Sequence, residues 1–368
     1  MNIQLPSAIQ WILGLIDQGS DTSTIILNIL AVSPEYVQRH FADIALLRGT
    51  ASPAVARLRD CVGEARRATS GQAPAVTVQH VISRALLGQF CEIVRPKSGP
   101  QLADWVLRSR KRYLRSSSAV GFVENFVKID SAATEGRWTT VENRLRQATD
   151  AARAAGGLPP DPALCDVLRD AITLHLVRNP RTLTIHDRTF HEVFERNVDA
   201  YATGPLAEEA FRRRHGFLPA GDEGRKEGAK LLLEEIRAIY DSGALFRFRV
   251  EAHFDRFRTQ LRQHQLQVVV IPPGLGVEFL IGDAPVLAVA FDGTSIAPAA
   301  LATATHVVLP LAPLVLAVLG PPALAALPAQ DLVRHINRME VLGAEDYIYH
   351  RPGQDFYRDI ANWLNWNP

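Results

Sequence analysis

Between Asp292 and Asp331 the chain runs for 38 residues without a formal charge, and this stretch limits the fold more than any other. Such a segment must leave water, either for a folded core or for a bilayer. Prolines at 298, 310, 313, 321, 322 and 328 cut it into pieces well short of the ~20 continuous apolar residues that a membrane-spanning helix needs. The same prolines would break a long helix. What remains is buried strands and turns, so the pattern predicts a compact sheet late in the chain and no membrane passage.

Residues 277–287 lead into that region as strand, tight turn and strand. An apolar run carries Glu278 into a Gly-Asp-Ala-Pro corner at 282–285 and leaves as a second apolar run. Stretches 267–271, 277–281, 285–291 and 306–309 are β-branched or apolar and separated by Gly and Pro, which is sheet patterning. Upstream the period is helical. Ser33-Pro34 and Ser52-Pro53 each place an N-cap residue before a proline at the first helical position. Trp11, Ile12, Leu15 and Ile16, and then Ile25, Ile26 and Ile29, repeat at helical spacing. Helices are expected at 135–155, closed by Gly156-Gly157, and at 162–177, capped by Asp161 and apolar enough to be central. Residues 181–215 read as helical, and 223–265 as one or two helices broken near 241–243. The sequence closes with a helix at 331–341, a strand at 347–350 and a helix at 354–363.

Helices first and a sheet late define an α+β chain: a mainly helical N-terminal part, then a small mixed or antiparallel sheet flanked by helices. The small, polar segment 68–74 marks a boundary. It separates a helical domain at 1–70 from a larger domain, mainly helical over 75–265 and β-rich over 266–368.

Forty Lys+Arg against 39 Asp+Glu give a net charge of +1, which excludes a wholesale polyelectrolyte binder and leaves room for a local patch. Cys61, Cys91 and Cys165 are odd in number and lack metal-ligand spacing, so a reducing cytoplasm is the expected setting. No basic region precedes the first apolar stretch, and no secretion signal is expected. Glycine-rich phosphate loop, Gly-x-Ser-x-Gly, HExxH and paired-cysteine motifs are lacking, which removes the common kinase, hydrolase and dehydrogenase readings.

Several side chains carry chemistry of their own. His80 and Arg84, at i and i+4, would offer an imidazole and a guanidinium to one ligand, or His80 would make a structural hydrogen bond. Arg178 ends the apolar helix, where a cation complements the helix dipole or holds an anion bidentately. Asp283 in the strand corner would either work as an acid, base or metal ligand, or fix the turn. His186-Asp187 and His191-Glu192 hold metal-capable groups, but the five-residue step between the histidines places them on different helix faces, so no metal site is assigned. Arg108, Arg110, Lys111, Arg112 and Arg115, with Tyr113 among them, form the densest basic cluster. It reads as a solvated helix face or as a track for a nucleic-acid backbone with Tyr113 stacking on a base.

Residues 279–287, Phe-Leu-Ile-Gly-Asp-Ala-Pro-Val-Leu, resemble the "fitSDNPv" corner of an uncharacterised bacterial family, domain of unknown function 4238. Residues 79–87, Gln-His-Val-Ile-Ser-Arg-Ala-Leu-Leu, resemble its opening "PxxYL…F" segment, and 174–180 its "LqxxRtP" helix end. The strand 307–313 resembles "lPLsP", and His335-Ile336-Asn337 resembles the "iN" before its last segment. The likeness spans about residues 75–350. Gly282 replaces the family's Ser and Ala284 its Asn, so any chemistry of those side chains is lost here. The polar positions that match are His80, Arg178, Asp283 and Asn337.

The expectation that follows is a single polar pocket where helices meet the sheet. Arg178 would hold an anion, His80 or Asp283 would move a proton or help bind a divalent metal, and Asn337 would fix geometry. The reaction expected is phosphodiester hydrolysis on nucleic acid by a nuclease-like defence or toxin effector. The alternative is a non-catalytic module whose residues 1–70 dock a partner protein.

Overall fold

A computed structural model describes residues 4–20, 22–69, 77–96, 99–128 and 131–366. The chain opens with α1 (Ser7–Asp17), α2 (Thr22–Val32), α3 (Pro34–Arg39), α4 (Phe41–Arg48) and α5 (Pro53–Thr69). Then come β1 (Val78–His80), α6 (Arg84–Gly88), β2 (Glu92–Ile93), β3 (Pro100–Val106), β4 (Lys111–Arg115) and β5 (Phe122–Glu124). Six helices follow: α7 (Ser131–Ala155), α8 (Pro162–Val177), α9 (Pro180–Thr203), α10 (Pro205–His215), α11 (Gly221–Asp241) and α12 (Ala244–Leu261). The last part holds β6 (Leu266–Val270), β7 (Ile281–Gly282), β8 (Leu287–Phe291), β9 (Ile296–Pro298), β10 (His306–Ala312), β11 (Val315–Leu319), α13 (Ala329–Gly343), β12 (Tyr347–His350) and α14 (Tyr357–Trp363). The fold is α+β. Among the described residues, no helix is long and apolar enough to cross a membrane.

The chain divides into two compact units, each assembled from three separate segments. The first contains the described residues of Met1–Val76, Val127–Thr134 and Thr184–Ala252. Its helices start where local chemistry favours it: the Ser33 hydroxyl accepts the Tyr36 N–H at 3.3 Å, with Pro34 at the first helical position. Ile9, Ile12 and Ile16 of α1, Ile25 and Ile29 of α2, and Leu58 of α5 form one core with Leu206 of α10 and Leu232 of α11. Trp11 departs from the expected apolar face. It is 46% exposed, and its indole N–H donates to Asn28 Oδ1 at 3.0 Å, so the ring lies along the rim. Gly228 lets α11 approach α10 closely, since a Cβ there would come within 2.4 Å of the Ala207 carbonyl oxygen.

The second unit contains the described residues of Thr77–Phe126, Glu135–Leu183 and His253–Pro368. The charge-free stretch supplies β9, β10 and β11, three of the five strands of its central sheet, which is antiparallel in the order β6-β11-β10-β8-β9. All residues of β10 and β11 are buried. The apolar face of α13, with Leu332, Val333, Ile336 and Met339, joins Val308, Leu316 and Val318 in one cluster, and α8 packs against β10 and β11. A second antiparallel sheet runs β2-β3-β12-β7, with β4 also paired to β3. Trp105, Leu280, Ile348 and Phe356 close its core. Among the described residues β1 pairs only with β5, and between β4 and β5 the chain turns at Gly121, whose φ is +71°. A Cβ there would lie 2.7 Å from Leu87 Cδ1, so both conformation and space call for glycine.

Several boundaries fall where expected. α8 starts at Pro162 with the Asp161 side chain accepting the Ala163 N–H at 2.8 Å, and β12 covers 347–350. The break near 241–243 is present, with Gly243 at φ +80°. The proposed boundary at 68–74 lies largely outside the described residues. Two readings need correction. Residues 108–115 are no helix face but the turn and second strand of a β-hairpin, with Asp104 opposite Tyr113 and Trp105 opposite Arg112. In 277–281 only Ile281 enters the β7 ladder; the Asn337 carboxamide instead satisfies the backbone of residues 278 and 280.

Candidate functional site

The strongest polar constellation of the second unit rests on α7 and α8. Residues 135, 138 and 142 recur at helical spacing on α7 and bring Glu135, Trp138 and Glu142 to one side. Arg178 is the C-cap of α8, where the negative end of the helix favours a cation. It is 1% exposed, donates through Nη1 to Glu142 Oε1 at 2.5 Å and lies over the Trp138 ring with 4.6 Å from Cζ to the centroid. Its Nε and Nη2 are buried without a hydrogen-bond partner among the described residues. Two unmatched donors on a buried guanidinium are costly unless something accepts from them.

His80 lies within electrostatic reach of Arg178. Its β1 position places it opposite Phe122 of β5, and the two rings meet edge to face at 6.0 Å. The ring hydrogen-bonds the Val120 carbonyl, while Nδ1 is buried and unpartnered among the described residues. Burial, with Arg178 and Arg84 adding to it, lowers the His80 pKa, so a neutral imidazole with an unmatched Nδ1 is the form at pH 7. Glu135 shows the complementary shift. Burial raises its pKa although Arg178 opposes the effect, and its Oε1 has no partner among the described residues. His175 of α8 supports this group from beneath: Nδ1 lies 2.8 Å from the Ala171 carbonyl and Nε2 accepts the Ser83 N–H at 3.2 Å. Burial drives its pKa down to about 4, so its ring serves as a neutral strut joining α8 to the start of α6.

Asp283 and Asn337 make backbone bonds instead. Asp283 Oδ1 accepts the Glu345 N–H at 2.8 Å, and Oδ2 accepts those of Asp346 and Tyr347 at 2.7 and 3.1 Å. The carboxylate thus caps the loop between α13 and β12, as the turn reading of this corner requires. Burial still raises its pKa, since three N–H donors only partly offset desolvation. Asn337 donates to the Glu278 carbonyl at 2.8 Å and accepts from the Leu280 N–H at 3.0 Å, replacing a strand partner. Glu278 pairs with Arg351 through a 2.9 Å bond from Nε. Beside this loop, Glu340 is fully buried, accepts the Gly282 N–H through Oε2 at 2.8 Å and leaves Oε1 unmatched among the described residues. Burial holds its pKa well above the carboxyl range.

The basic cluster forms the outer edge of the second sheet. Arg108 pairs with Asp346 at 2.6 Å, Arg112 donates to the Pro352 carbonyl at 2.5 Å, Arg110 lies over the Trp366 ring, and Arg115 lies over Tyr113 while 3.3 Å from Asp104. Lys111 and Tyr113 are exposed. Charged residues on an edge strand also prevent sheet-to-sheet association, which is the structural account of the same run. His186 and Asp187 are engaged separately: His186 stacks on Tyr240, and Asp187 accepts the Tyr240 hydroxyl at 2.7 Å. Among the described residues no three His, Cys, Asp or Glu side chains are grouped to hold a metal ion.

Sequence reasoning missed Glu135, Trp138 and Glu142. Their i, i+3, i+7 spacing was available on α7, but an acidic pair on a polar helix ordinarily faces water, and only the fold shows Arg178 beneath it.

Helices packed on antiparallel sheets, with buried Arg178 at the end of α8 and half-buried His80 on β1, define the class of domain present in the second unit. Residues 78–354 match the family model described as "Protein of unknown function (DUF4238)", and the chain belongs to that family. Neither a curated protein nor a solved structure matched the chain.

Proposed function

We propose that the domain hydrolyses phosphodiester bonds of nucleic acid at the His80–Arg178 centre. The observation that supports this reading is the set of unmatched polar atoms there: His80 Nδ1 and Arg178 Nε and Nη2. An anionic group accepting from both guanidinium nitrogens would restore the hydrogen bonds that the single Glu142 contact leaves unmade. Neutral His80 would take a proton from water at Nδ1 as the water oxygen attacks phosphorus. Glu135, whose carboxyl burial makes harder to ionise, would give a proton to the departing ester oxygen. Arg178 would stabilise the charge gathering on the phosphoryl oxygens. The exposed Lys111 and Tyr113 edge would guide the backbone.

The test is binding of short RNA and DNA across a salt series, with and without Mg²⁺ or Mn²⁺, followed by cleavage assays. Support requires affinity that falls with salt, and cleavage lost by at least ~100-fold in His80→Ala and Arg178→Lys while both variants stay folded. Absence of binding at low salt would sink it. A partner-docking role for the first unit gains support from Leu46 and Leu47 of α4, which are 72% and 49% exposed side by side. It predicts binding to another protein that Leu46→Asp abolishes.

A further inference from the structure

A second polar site lies on the opposite side of α7 from the His80–Arg178 centre. At 3.6 residues per turn, Arg137, Thr140, Val141 and Arg144 share one face of α7, roughly opposite Glu135, Trp138 and Glu142. They form one wall of a cleft of about 410 Å³. Phe254 and Arg258 of α12 and Arg262 just past its end, at steps of four, form the other wall. The floor is α8, through Ala163, Asp166, Val167 and Asp170. Three helices therefore each direct one periodic stripe into the same cleft, with four arginines against two aspartates.

The ion pairs there orient the arginines without neutralising the cleft. Asp170, 7% exposed, holds Arg258 bidentately, with Nε and Nη2 at 2.9 and 2.8 Å, and lies 3.6 Å from Arg262. Asp255 holds Arg137 at 2.8 Å on the rim. Asp166 is paired outward to Arg169 at 3.2 Å. Arg144 has no carboxylate partner among the described residues. The buried Asp170 fixes the geometry of one guanidinium, while Arg144 and most of the Arg262 donors remain available from opposite walls. Several guanidinium forks converging from two sides suit an anion with three or more acceptor oxygens better than a flat carboxylate.

We propose that this cleft binds a small phosphate-bearing molecule, of the size of a pyrophosphate or a nucleotide, with Arg144 and Arg262 as its principal ligands. The volume falls within the usual range for small-molecule sites. The aspartates of the floor disfavour a continuous polyanion, which would have to run past both. This assignment is independent of the hydrolytic reading of the other face of α7.

The experiment is isothermal titration of the full chain with inorganic pyrophosphate and with a nucleoside triphosphate at low salt, repeated on Arg144→Ala, Arg262→Ala and, as a control, Arg225→Ala at an exposed arginine of α11 outside both sites. Thermal melts check that each variant is folded. The expected result is binding weakened about tenfold or more by each cleft substitution and unchanged by Arg225→Ala. No heat of binding with either probe would overturn the proposal, as would affinity in the two cleft variants equal to that of the unsubstituted chain. Oligonucleotide binding that depends on Arg144, with no binding of the small probes, would also overturn it and assign the cleft to a strand.

Discussion

Glu340 shows how one side chain can set a pH dependence for the fold. Burial raises its pKa, while in the unfolded chain it ionises in the ordinary carboxyl range. The unfolded state thus loses this proton first as pH rises. The stability contributed is full in acid and declines as pH climbs from about 4.5 towards the raised folded value. Glutamine keeps an acceptor for the Gly282 N–H and has no proton to lose. Glu340→Gln is therefore expected to raise Tm by at least ~2 °C at pH 8 and to change it little at pH 4.5; equal shifts at both pH values would contradict the burial argument. Asp283 gives a prediction of a different kind. With three N–H groups left unmatched, Asp283→Ala should cost about 1–3 kcal/mol in denaturant melts, and Asp283→Asn should recover part of that. If nucleic-acid cleavage is found, either variant should retain it in proportion to its folded fraction, because this carboxylate serves the loop.

Helices are the elements where substitution tests packing most directly. Gly228 and Gly63 both sit inside helices, α11 and α5, yet meet different surroundings. A Cβ at Gly228 would reach 2.4 Å from a backbone oxygen and 3.0 Å from Phe211 Cβ, whereas one at Gly63 has nothing within 4 Å. Gly228→Ala should destabilise by roughly 1–3 kcal/mol because α10 and α11 must move apart. Gly63→Ala should stabilise by about 0.5–1 kcal/mol through helix propensity. Urea melts of the two variants give opposite signs if these contacts hold. At this scale the sequence was informative wherever the signal was local. The Asp161-Pro162 cap started α8, and the run of prolines ruled out one long apolar helix. Partners that come from far along the chain left no local signal. The 108–115 run has the charge density of a solvated helix, and its strand form depends on β3 and on the turn between them. Of the candidate site, His80 and Arg178 were legible as a helix-adjacent histidine and a helix-terminal cation. Glu135, Trp138 and Glu142 were not, because nothing local tells a buried acid from a surface one.

For the whole molecule, the noncontiguous assembly of the first unit has a measurable consequence. Its core joins Ile9, Ile12, Ile25, Ile29 and Leu58 with Leu206, Ala210, Leu232 and Ile236, which lie some 140 residues or more further along the chain. Contacts run from α1 and α2 to α10, and from α2 to α11. A fragment ending near residue 70 would keep its caps and helical periods but would expose the apolar surface that α10 and α11 cover. Short helices of 6 to 17 residues, as α1 to α5 are, depend on that burial because isolated helices of this length are marginal in water. Residues 1–76 alone are therefore expected to give partial helicity by circular dichroism and a broad, non-cooperative melt. Adding residues 184–252 as a second peptide should increase helicity and sharpen the transition, since it returns the missing face of the core. If residues 1–76 melted cooperatively at the temperature of the full chain, the shared core would not be the source of their order, and the N-terminal helices would stand as a domain of their own.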